Sequence, residues 1–271
     1  MRRLLIRPGA IGDCIVSLPA LEHLAADYTE VWVPSAVVPL IPFAQRVRAL
    51  ASTGIDLVGV GDLEMPATLK TELESFDSIV SWYGANRPEF RHALQSLAVD
   101  CEFHPALPPA IHREHASDFF ARQVGAPLGQ HPRIKVEHRC PARDSVVIYP
   151  FSGSVWKNWP ASRYRELAAK LPCKVEWNVG PEEEWAGATR FTNLAELAGW
   201  IAGARLYIGN DSGIAHLAAA AGVPTLVLFG PFSPQTWAPR GPQVTILVSD
   251  PLERLSLEMV LRTANRLLGF R

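Results

Sequence analysis

The sequence predicts an α/β protein that consists of two Rossmann-like domains facing each other across a cleft. Three observations support this fold class. Short apolar runs alternate with segments of helical periodicity along most of the 271 residues, and this alternation builds parallel sheets flanked by helices. The same alternation restarts at residue 145. A proline- and glycine-rich stretch, residues 126–144, separates the halves as a linker. The expected domains are residues 1–130 and 140–255.

Apolar periodicity and Gly/Pro punctuation predict the elements of each half. In the first half, strands are expected at residues 2–7, 30–33 and 77–82, and helices at 14–26, 37–44 and 114–124. In the second half, strands are expected at residues 145–150, 174–179, 205–208, 225–229 and 244–248. Helices are expected there at residues 160–171, 193–202, after residue 213 and at 255–268.

The composition excludes several classes of protein. A hydrophobic content of 48% and a charged content of 20% are typical of a soluble globular chain. The formal net charge of −1 gives no basic field for nucleic acid. No apolar run reaches about 18 residues, and the N-terminus reads as a strand rather than a signal peptide. Four widely spaced cysteines without a CxxC pair favour reduced thiols in the cytosol over disulfides or a metal site.

A polar turn between two apolar runs is the most informative segment. Residues 205–208 and 225–229 predict strands, and between them lie Asp211-Ser212-Gly213 and an alanine-rich helix that Gly222 and Pro224 terminate. This is one βαβ unit whose helix N-terminus offers unpaired N–H groups to an anion. His216 stands one helical turn past Ser212. It could touch phosphates, although a packed, satisfied histidine is the more common outcome on such a helix.

Three further strand-end segments carry candidate site residues. Ser152, Gly153, Ser154 and Lys157 suit a phosphate, although the order of a Walker loop is absent. One of the acidic triplet Glu182, Glu183 and Glu184 could accept hydrogen bonds from a ribose, and the spacing does not decide which; the alternative is the solvated first turn of a helix. Arg87 and Arg91 could bind an anionic partner or be solvated surface residues.

Asp13 follows the first strand in the segment Pro8-Gly9-Ala10-Ile11-Gly12-Asp13, which lacks the GxGxxG spacing of a dinucleotide fingerprint. At the start of a helix, an aspartate often serves as the N-cap. It could also face the cleft and accept a proton as a general base. The two roles are compatible unless backbone donors occupy both carboxylate oxygens.

Three segments of the sequence carry a resemblance to a known family. They are Ile11-Gly12-Asp13 with Leu18-Pro19-Ala20-Leu21, Ser152-Gly153-Ser154 with Lys157-Asn158-Trp159-Pro160, and the block from Asp211 to Pro239 that contains His216-Leu217-Ala218-Ala219 and Phe229-Gly230-Pro231. Together they resemble glycosyltransferase family 9, the lipopolysaccharide heptosyltransferases. The likeness covers residues 1–25 and almost all of 145–240.

The resemblance implies a GT-B fold and an inverting transfer that needs neither metal nor cofactor, from a nucleotide-diphosphate sugar to a glycan. It implies that Asp13 takes the proton of the acceptor hydroxyl. Gly12, Arg87 and Arg91 are the residues expected on the acceptor side. Lys157 and the N–H groups around Ser212 and Gly213 would hold the diphosphate, and Asp211 the donor nucleotide or sugar. The terminal helix, residues 256–268, would pack back on the first domain.

The same resemblance favours an ADP-linked donor, heptose by family prevalence, and a lipopolysaccharide-type acceptor. The expected location is the cytoplasm, with peripheral contact at the inner face of the membrane. Two other functions stay open from the sequence: a nucleotide-sugar epimerase of GT-B fold, which should need more carboxylates than Asp13 supplies, and a non-catalytic nucleotide-sugar binder, for which Asp13 would be dispensable.

Overall fold

The computed structural model describes residues 1–61, 64–109, 113–136 and 139–270. The chain divides into two compact units. Unit 1 comprises Met1–His112 and Ala116–Gln130, and unit 2 comprises Arg113–His115 and His131–Arg271. Residues 137 and 138 of the predicted linker lie outside the described residues. Within the described ranges, no helix is both long enough and apolar enough to cross a membrane.

Unit 1 is built on a parallel five-stranded sheet. Its strands are β1 (Arg2–Ile6), β2 (Tyr28–Val33), β3 (Arg46–Ala49), β4 (Ser78–Ser81) and β5 (Asp100–Phe103). They lie in the order β3-β2-β1-β4-β5, and every pairing is parallel. The helices are α1 (Ile11–His23), α2 (Ala67–Leu73), α3 (Pro88–Gln95) and α4 (Ala116–Gln123). The central strands β1, β2 and β4 confirm the three predicted ones.

Several boundaries in unit 1 differ from the prediction. The helix expected at residues 14–26 begins three residues earlier, at Ile11, so Asp13 lies inside its first turn rather than at the N-cap. The helix expected at residues 37–44 is wrong, because only a 3-10 helix, Ser35–Leu40, forms there. Pro39 and Pro42 remove the N–H donors that an α-helix would need. The edge strands β3 and β5 and the helices α2 and α3 were not predicted.

Unit 2 repeats the architecture. Its strands are β6 (Ser145–Tyr149), β7 (Lys174–Trp177), β8 (Leu206–Asn210), β9 (Thr225–Phe229) and β10 (Val244–Val248), in the parallel order β10-β9-β8-β6-β7. Its helices are α5 (Ala161–Lys170), α6 (Leu194–Ile201), α7 (Gly213–Ala220), α8 (Pro234–Trp237) and α9 (Leu257–Leu267). All five strands predicted for this half are confirmed.

Two details of unit 2 correct the prediction. Pro160 is the N-cap of α5 rather than its first helical residue. The acidic triplet 182–184 does not begin a helix. Instead, Glu183 N–H donates to Gly180 O at 3.2 Å and the Glu183 carboxylate accepts the Gly180 N–H at 2.7 Å, which closes a turn. The neighbouring Trp185 is buried against Trp177 and Phe151, so aromatic packing fixes this segment.

The terminal helix α9 packs within unit 2. Its amphipathic sequence buries Val260 and Ala264 in the core cluster that also holds Val146, Leu167 and Leu228. This core lies between the sheet and the helices α5 and α9, which contact each other. The expectation that residues 256–268 pack back on the first domain stays a prediction.

Candidate functional site

The carboxyl ends of β6 and β8 form the centre of the candidate site in unit 2. These strands are neighbours in the sheet although β7 lies between them in the chain. Strand β7 is added on one side of β6 and β8 on the other, so the strand order reverses at this point. Open α/β sheets bind their ligands at such a switch point. The segments that leave the two strands, residues 150–160 and 211–213, are the two with the predicted phosphate-binding residues. The topology therefore brings these predicted residues to one edge.

Helix α7 begins at this edge with a capped N-terminus. Ser212 is the N-cap, and its Oγ accepts the Ala215 N–H at 3.4 Å. The helix is almost entirely buried and alanine-rich, and Gly222, with a φ of +80°, follows its C-terminus. The first N–H groups of a helix have no partner within the helix. The helix dipole adds positive potential at the same end, which makes this turn suited to an anion.

Lys157 and Asp211 form an ion pair beside that turn. Lys157 Nζ donates to Asp211 Oδ2 at 2.6 Å, and the two side chains are 25% and 6% exposed. The same Nζ lies 4.2 Å from the centroid of the Phe232 ring, in the loop after β9. Both charged residues were predicted from the sequence as donor-binding groups, and the structure places them in direct contact. The ion pair itself and the contact between Lys157 and the Phe232 ring were not predicted.

The serines of the β6–α5 loop differ in what they offer. Ser152 Oγ lies 2.8 Å from both Ser154 O and Asn158 Oδ1, and the Ser154 N–H donates to it at 3.4 Å. A hydroxyl has a single proton, so the donor capacity of Ser152 is committed to the shape of the loop. Gly153 and Ser154 are exposed and partly exposed, respectively. The Gly153 N–H and the Ser154 hydroxyl are therefore the donors of these residues that remain for a ligand.

Asn210, the last residue of β8, organises this loop, and the sequence analysis did not assign it a role. It is fully buried. Its Oδ1 accepts the Trp159 N–H at 3.0 Å and the Tyr164 hydroxyl at 2.8 Å, and its Nδ2 donates to Pro150 O at 2.8 Å. One amide thus holds both ends of the β6–α5 loop against β8. The sequence signal that could have identified this role is a polar residue at the end of an apolar strand, directly before Asp211-Ser212-Gly213.

Glu183 differs from the other two acidic residues of its turn. Its Oε2 accepts the Gly180 N–H at 2.7 Å, and it is also hydrogen-bonded to the Tyr149 hydroxyl. Burial, followed by the charge of Glu183, raises the pKa of Tyr149 above its ordinary value, so the hydroxyl keeps its proton. Glu183 is half-buried, whereas Glu182 and Glu184 are both exposed. The carboxylate of Glu183 is fixed in position, and a carboxylate can accept about four hydrogen bonds.

His216 is buried in α7. Burial, with the nearby positive charges of His115 and Lys157, lowers the pKa of His216 to about 3, which makes the ring neutral at pH 7. It is hydrogen-bonded to the backbone of Trp237. His115 Nε2 lies 2.8 Å from the next carbonyl, Ala238 O. The two imidazoles therefore fix the end of α8. The burial and the backbone hydrogen bond of His216 match a packed histidine rather than one that is free to contact phosphates.

In unit 1, Asp13 lies in the first turn of α1 at the carboxyl end of β1. Its Oδ2 accepts the Ala10 N–H at 2.9 Å. Among the described residues this is the one hydrogen bond to its carboxylate, which leaves Oδ1 open to a hydrogen bond from a ligand. Gly9 has a φ of +125°, and a Cβ there would lie 2.9 Å from Asp13 Cβ and 3.1 Å from its Oδ2. Only glycine fits against this carboxylate.

A buried arginine supports the Asp13 loop. The side chain of Arg7 is fully buried. Its guanidinium donates to Pro8 O at 2.8 Å, to Asp13 O at 2.9 Å, to Ser17 Oγ at 2.9 Å and to Ala106 O at 3.2 Å. Burial lowers the pKa of Arg7 from its ordinary value, while the Asp13 charge opposes this shift. Arg7 thus joins both ends of the loop, and the sequence analysis missed it because it looked like part of a strand.

The residues predicted for the acceptor side differ in whether they are exposed or already hydrogen-bonded within unit 1. Gly12 lies in the first turn of α1 and is partly exposed. Arg87, the N-cap of α3, donates from Nη2 to Val58 O at 3.0 Å. Arg91 is exposed, with its Cζ 5.4 Å from the centroid of Phe103. Arg87 therefore has a structural partner, and Arg91 is the more available of the two cations.

Known proteins resemble the chain in sequence and in fold. Residues 186–262 match glycosyltransferase family 9 (heptosyltransferase). The chain is 30% identical to lipopolysaccharide heptosyltransferase 1 of Salmonella typhimurium, over 86% of this chain and 90% of that protein. It is 28% identical to lipopolysaccharide heptosyltransferase 1 of Pseudomonas aeruginosa, over 86% of this chain and 80% of that protein. In structure it is similar to E. coli ADP-heptose lipopolysaccharide heptosyltransferase II, with a TM-score of 0.71, 18% identity and 99% coverage of both chains.

Two Rossmann-like units and this structural likeness define a GT-B fold. The relatives in sequence identify the protein as a glycosyltransferase. The fold class expected from the sequence is confirmed. The identity to the Salmonella enzyme extends over nearly the whole of both chains. The chain belongs to glycosyltransferase family 9, and the resemblance noted in its sequence is confirmed.

Proposed function

We propose that the protein transfers heptose from ADP-heptose to a lipopolysaccharide-type acceptor, with inversion at the anomeric carbon and without a metal ion. The family membership and the names of the relatives support the sugar, the nucleotide and the acceptor class. The observation that carries the donor site is the position of Lys157, which is paired with Asp211 immediately before the N-terminal turn of α7.

The donor diphosphate binds at this turn. Lys157, the N–H groups around Ser212 and Gly213 and the donors of Ser154 hold its oxygens, while the buried ring of His216 stays neutral beneath it. As the anomeric carbon–oxygen bond breaks, ADP leaves with the bonding electrons and negative charge grows on its β-phosphate. Fixed donors aimed at developing charge stabilise the transition state more than the ground state. Asp211 orients the donor sugar, and Ser152 shapes the loop.

Glu183 binds the ribose hydroxyls of the donor. Its carboxylate is held by Gly180 and Tyr149, so little conformational freedom is lost when a ribose binds. Glu182 is exposed and has no comparable support among the described residues. Of the acidic triplet, Glu183 is therefore our choice for this role.

Asp13 is the general base. Its carboxylate takes the proton from the acceptor hydroxyl while that oxygen attacks the anomeric carbon, in a single displacement that inverts the configuration. Gly12, Arg87 and Arg91 belong to the acceptor side, where Arg91 can bind an anionic group of the glycan. The protein acts in the cytoplasm, with peripheral contact at the inner face of the membrane that presents a lipid-linked acceptor.

Asp13→Asn tests the assignment because it preserves size and hydrogen bonding but removes the base. We expect ADP to bind this variant as it binds the wild-type protein, by titration calorimetry, while transfer from ADP-heptose to a heptose-free lipopolysaccharide core falls by at least about 10²-fold. Asp56→Asn, on a surface turn of unit 1, is the matched control and should keep full activity. Product stereochemistry by NMR tests inversion.

Three outcomes would contradict the proposal, each in a different way. Unchanged turnover in Asp13→Asn would exclude Asp13 as the base. ADP binding without transfer by the wild-type protein to any core acceptor would indicate a non-catalytic nucleotide-sugar binder. Conversion of the free ADP-sugar to its epimer without transfer would indicate an epimerase. A thermal-shift comparison of ADP-, GDP- and UDP-sugars tests the nucleotide, because ligands stabilise the native state that binds them.

A further inference from the structure

The ammonium group of Lys157 is held on two sides. Nζ donates to Asp211 Oδ2 at 2.6 Å, and the same atom lies 4.2 Å from the centroid of the Phe232 ring. Phe232 is 48% exposed and follows β9 in the loop that leads to α8. The carboxylate and the aromatic ring come from two different strand-end loops. Both contact the Lys157 ammonium, and the proposed donor site does not assign a role to the Phe232 ring.

The loop that carries Phe232 is anchored at both ends. Gly230, which directly follows β9, is buried. At the other end, the Ala238 N–H donates to Pro234 O at 3.0 Å, and Ala238 O lies 2.8 Å from His115 Nε2. The backbone that carries Phe232 is therefore held at both ends of the loop, and its ring lies over the Lys157 ammonium.

An aromatic ring changes what a lysine can do for a ligand. The ammonium of lysine is strongly hydrated and sits on a flexible four-carbon stem. A ring face within about 6 Å attracts the cation, and it replaces part of its water shell without using any of its N–H donors. A lysine restricted in this way loses less side-chain entropy when a phosphate binds. The carboxylate and the ring thus leave the ammonium charged, oriented and partly dehydrated.

We propose that Phe232 is a positioning residue for Lys157, which fixes the ammonium for contact with the donor diphosphate. The inference rests on the proposed function, in which Lys157 binds that diphosphate. Phe232 acts through Lys157 and makes no contact with the nucleoside. Its effect must therefore appear for ligands with phosphates and vanish for adenosine, and it must depend on the presence of Lys157.

Phe232→Leu tests this inference because it keeps an apolar side chain but removes the ring. With titration calorimetry, we expect ADP to bind this variant about 3- to 30-fold more weakly than the wild type, the range for loss of a cation–π contact. Adenosine should bind both proteins equally. Phe232→Tyr should restore ADP binding to within about twofold, since tyrosine presents a similar ring face.

Phe270→Leu is the matched control. Phe270 is 39% exposed in the same unit and also has a cation over its ring, with Arg205 Cζ at 5.4 Å. The same substitution there should leave ADP binding unchanged. Thermal melting of both variants checks that the fold is retained.

A double-mutant cycle with Lys157→Met completes the test. In that background, Phe232→Leu should weaken ADP binding no further, because the cation is gone. An additional loss in the Lys157→Met background, or an equal loss for adenosine, would mean that the ring contacts the nucleotide itself and would overturn the inference. Equal binding of ADP by the wild type and Phe232→Leu would overturn the inference alone. Failure of the wild-type protein to bind ADP would overturn both the inference and the proposed function.

Discussion

Tyr164 donates its hydroxyl to Asn210 Oδ1 at 2.8 Å, in the interior of unit 2. Both side chains are fully buried, and burial raises the pKa of Tyr164 well above its ordinary value. The same Asn210 amide bonds to the backbone of Trp159 and Pro150. This hydrogen-bond cluster fixes the loop that carries Lys157, so its integrity can be tested separately from ligand binding.

The first prediction concerns that cluster. Asn210→Leu leaves the Trp159 N–H, the Tyr164 hydroxyl and the Pro150 carbonyl buried without their partner, and we expect the free energy of unfolding to fall by about 3 to 5 kcal/mol. Tyr164→Phe removes one partner only, and we expect a loss of about 1 kcal/mol. Urea denaturation of both variants measures the difference. Equal losses would contradict the central position of Asn210.

The second prediction concerns Arg7. Arg7→Met removes four hydrogen bonds from a buried site, and we expect it to lower the free energy of unfolding by about 3 to 5 kcal/mol. Arg7→Lys keeps the charge but cannot reproduce the planar fork, so an intermediate loss of about 1 to 3 kcal/mol is expected. Arg2→Met is the control, since its side chain is at the surface. A loss in Arg7→Met no larger than in this control would refute the supporting role.

The third prediction concerns pH. The pKa of His216 is about 3 in the folded protein against an ordinary value of 6.5. Between these values the unfolded chain binds more protons than the folded one, so the free energy of unfolding rises with pH across this window and falls as pH is lowered. The largest loss, near pH 3, is about 5 kcal/mol, since one pKa unit corresponds to about 1.4 kcal/mol.

His216→Gln, which cannot titrate, should flatten this dependence, while His92→Gln on the surface of α3 should not. Denaturation curves between about pH 4 and pH 7 measure the slope. Because His115 and Lys157 face His216, the comparison is made at constant ionic strength. An unchanged slope in His216→Gln would assign the acid sensitivity to another group.

The fourth prediction concerns the Lys157–Asp211 pair. The Asp211 carboxylate and a bound diphosphate compete for the same ammonium, and they repel each other. Asp211→Asn should therefore bind ADP about threefold to tenfold more tightly, while transfer falls because the donor sugar loses its contact. Lys157→Met should weaken ADP binding by at least about tenfold. Calorimetry and a transfer assay separate the two effects, and weaker ADP binding by Asp211→Asn would contradict the competition.

The fifth prediction concerns Glu183. If its carboxylate binds the ribose, the wild type should prefer ADP over 2′-deoxy-ADP by about tenfold, as expected for a hydrogen bond to a charged group. Glu183→Gln should reduce this preference toward equality, whereas the matched variant Glu182→Gln should retain it. Competition binding with the two nucleotides measures the ratio. A preference lost in Glu182→Gln instead would move the ribose contact to Glu182.

The βαβ unit of β8, α7 and β9 could be predicted because its signals are local. Apolar runs, a polar turn and the Gly222–Pro224 terminator lie within about two dozen residues, and each agrees with the others. The edge strands β3 and β5 carry no such signal. Their sequences, Arg46–Ala49 and Asp100–Phe103, are only four residues long, and in each of them two charged residues alternate with two apolar ones. They become strands through pairing with β2 and β4, which a local pattern does not contain.

The site shows the same division between local and distant information. Residue type and motif were sufficient to choose Lys157 and Asp211, but their contact spans 54 positions in the sequence. Phe232 and Arg7 escaped notice because an exposed phenylalanine and a strand-end arginine are common in any protein. Amphipathicity indicates only that a helix buries one face. It does not indicate which elements α9 packs against, and in the structure these include α5 and the core of unit 2.

The hydrogen bond from His115 to Ala238 has a practical consequence for dissecting the protein. The chain enters unit 2 at Arg113–His115, returns to unit 1 at Ala116, and leaves it again after Gln130. A fragment that starts at residue 131 would therefore lack one of the two imidazoles that tether the end of α8. Separate expression of unit 2 needs residues 113–115 supplied by a redesigned connection, because otherwise the end of α8 is held by one imidazole instead of two.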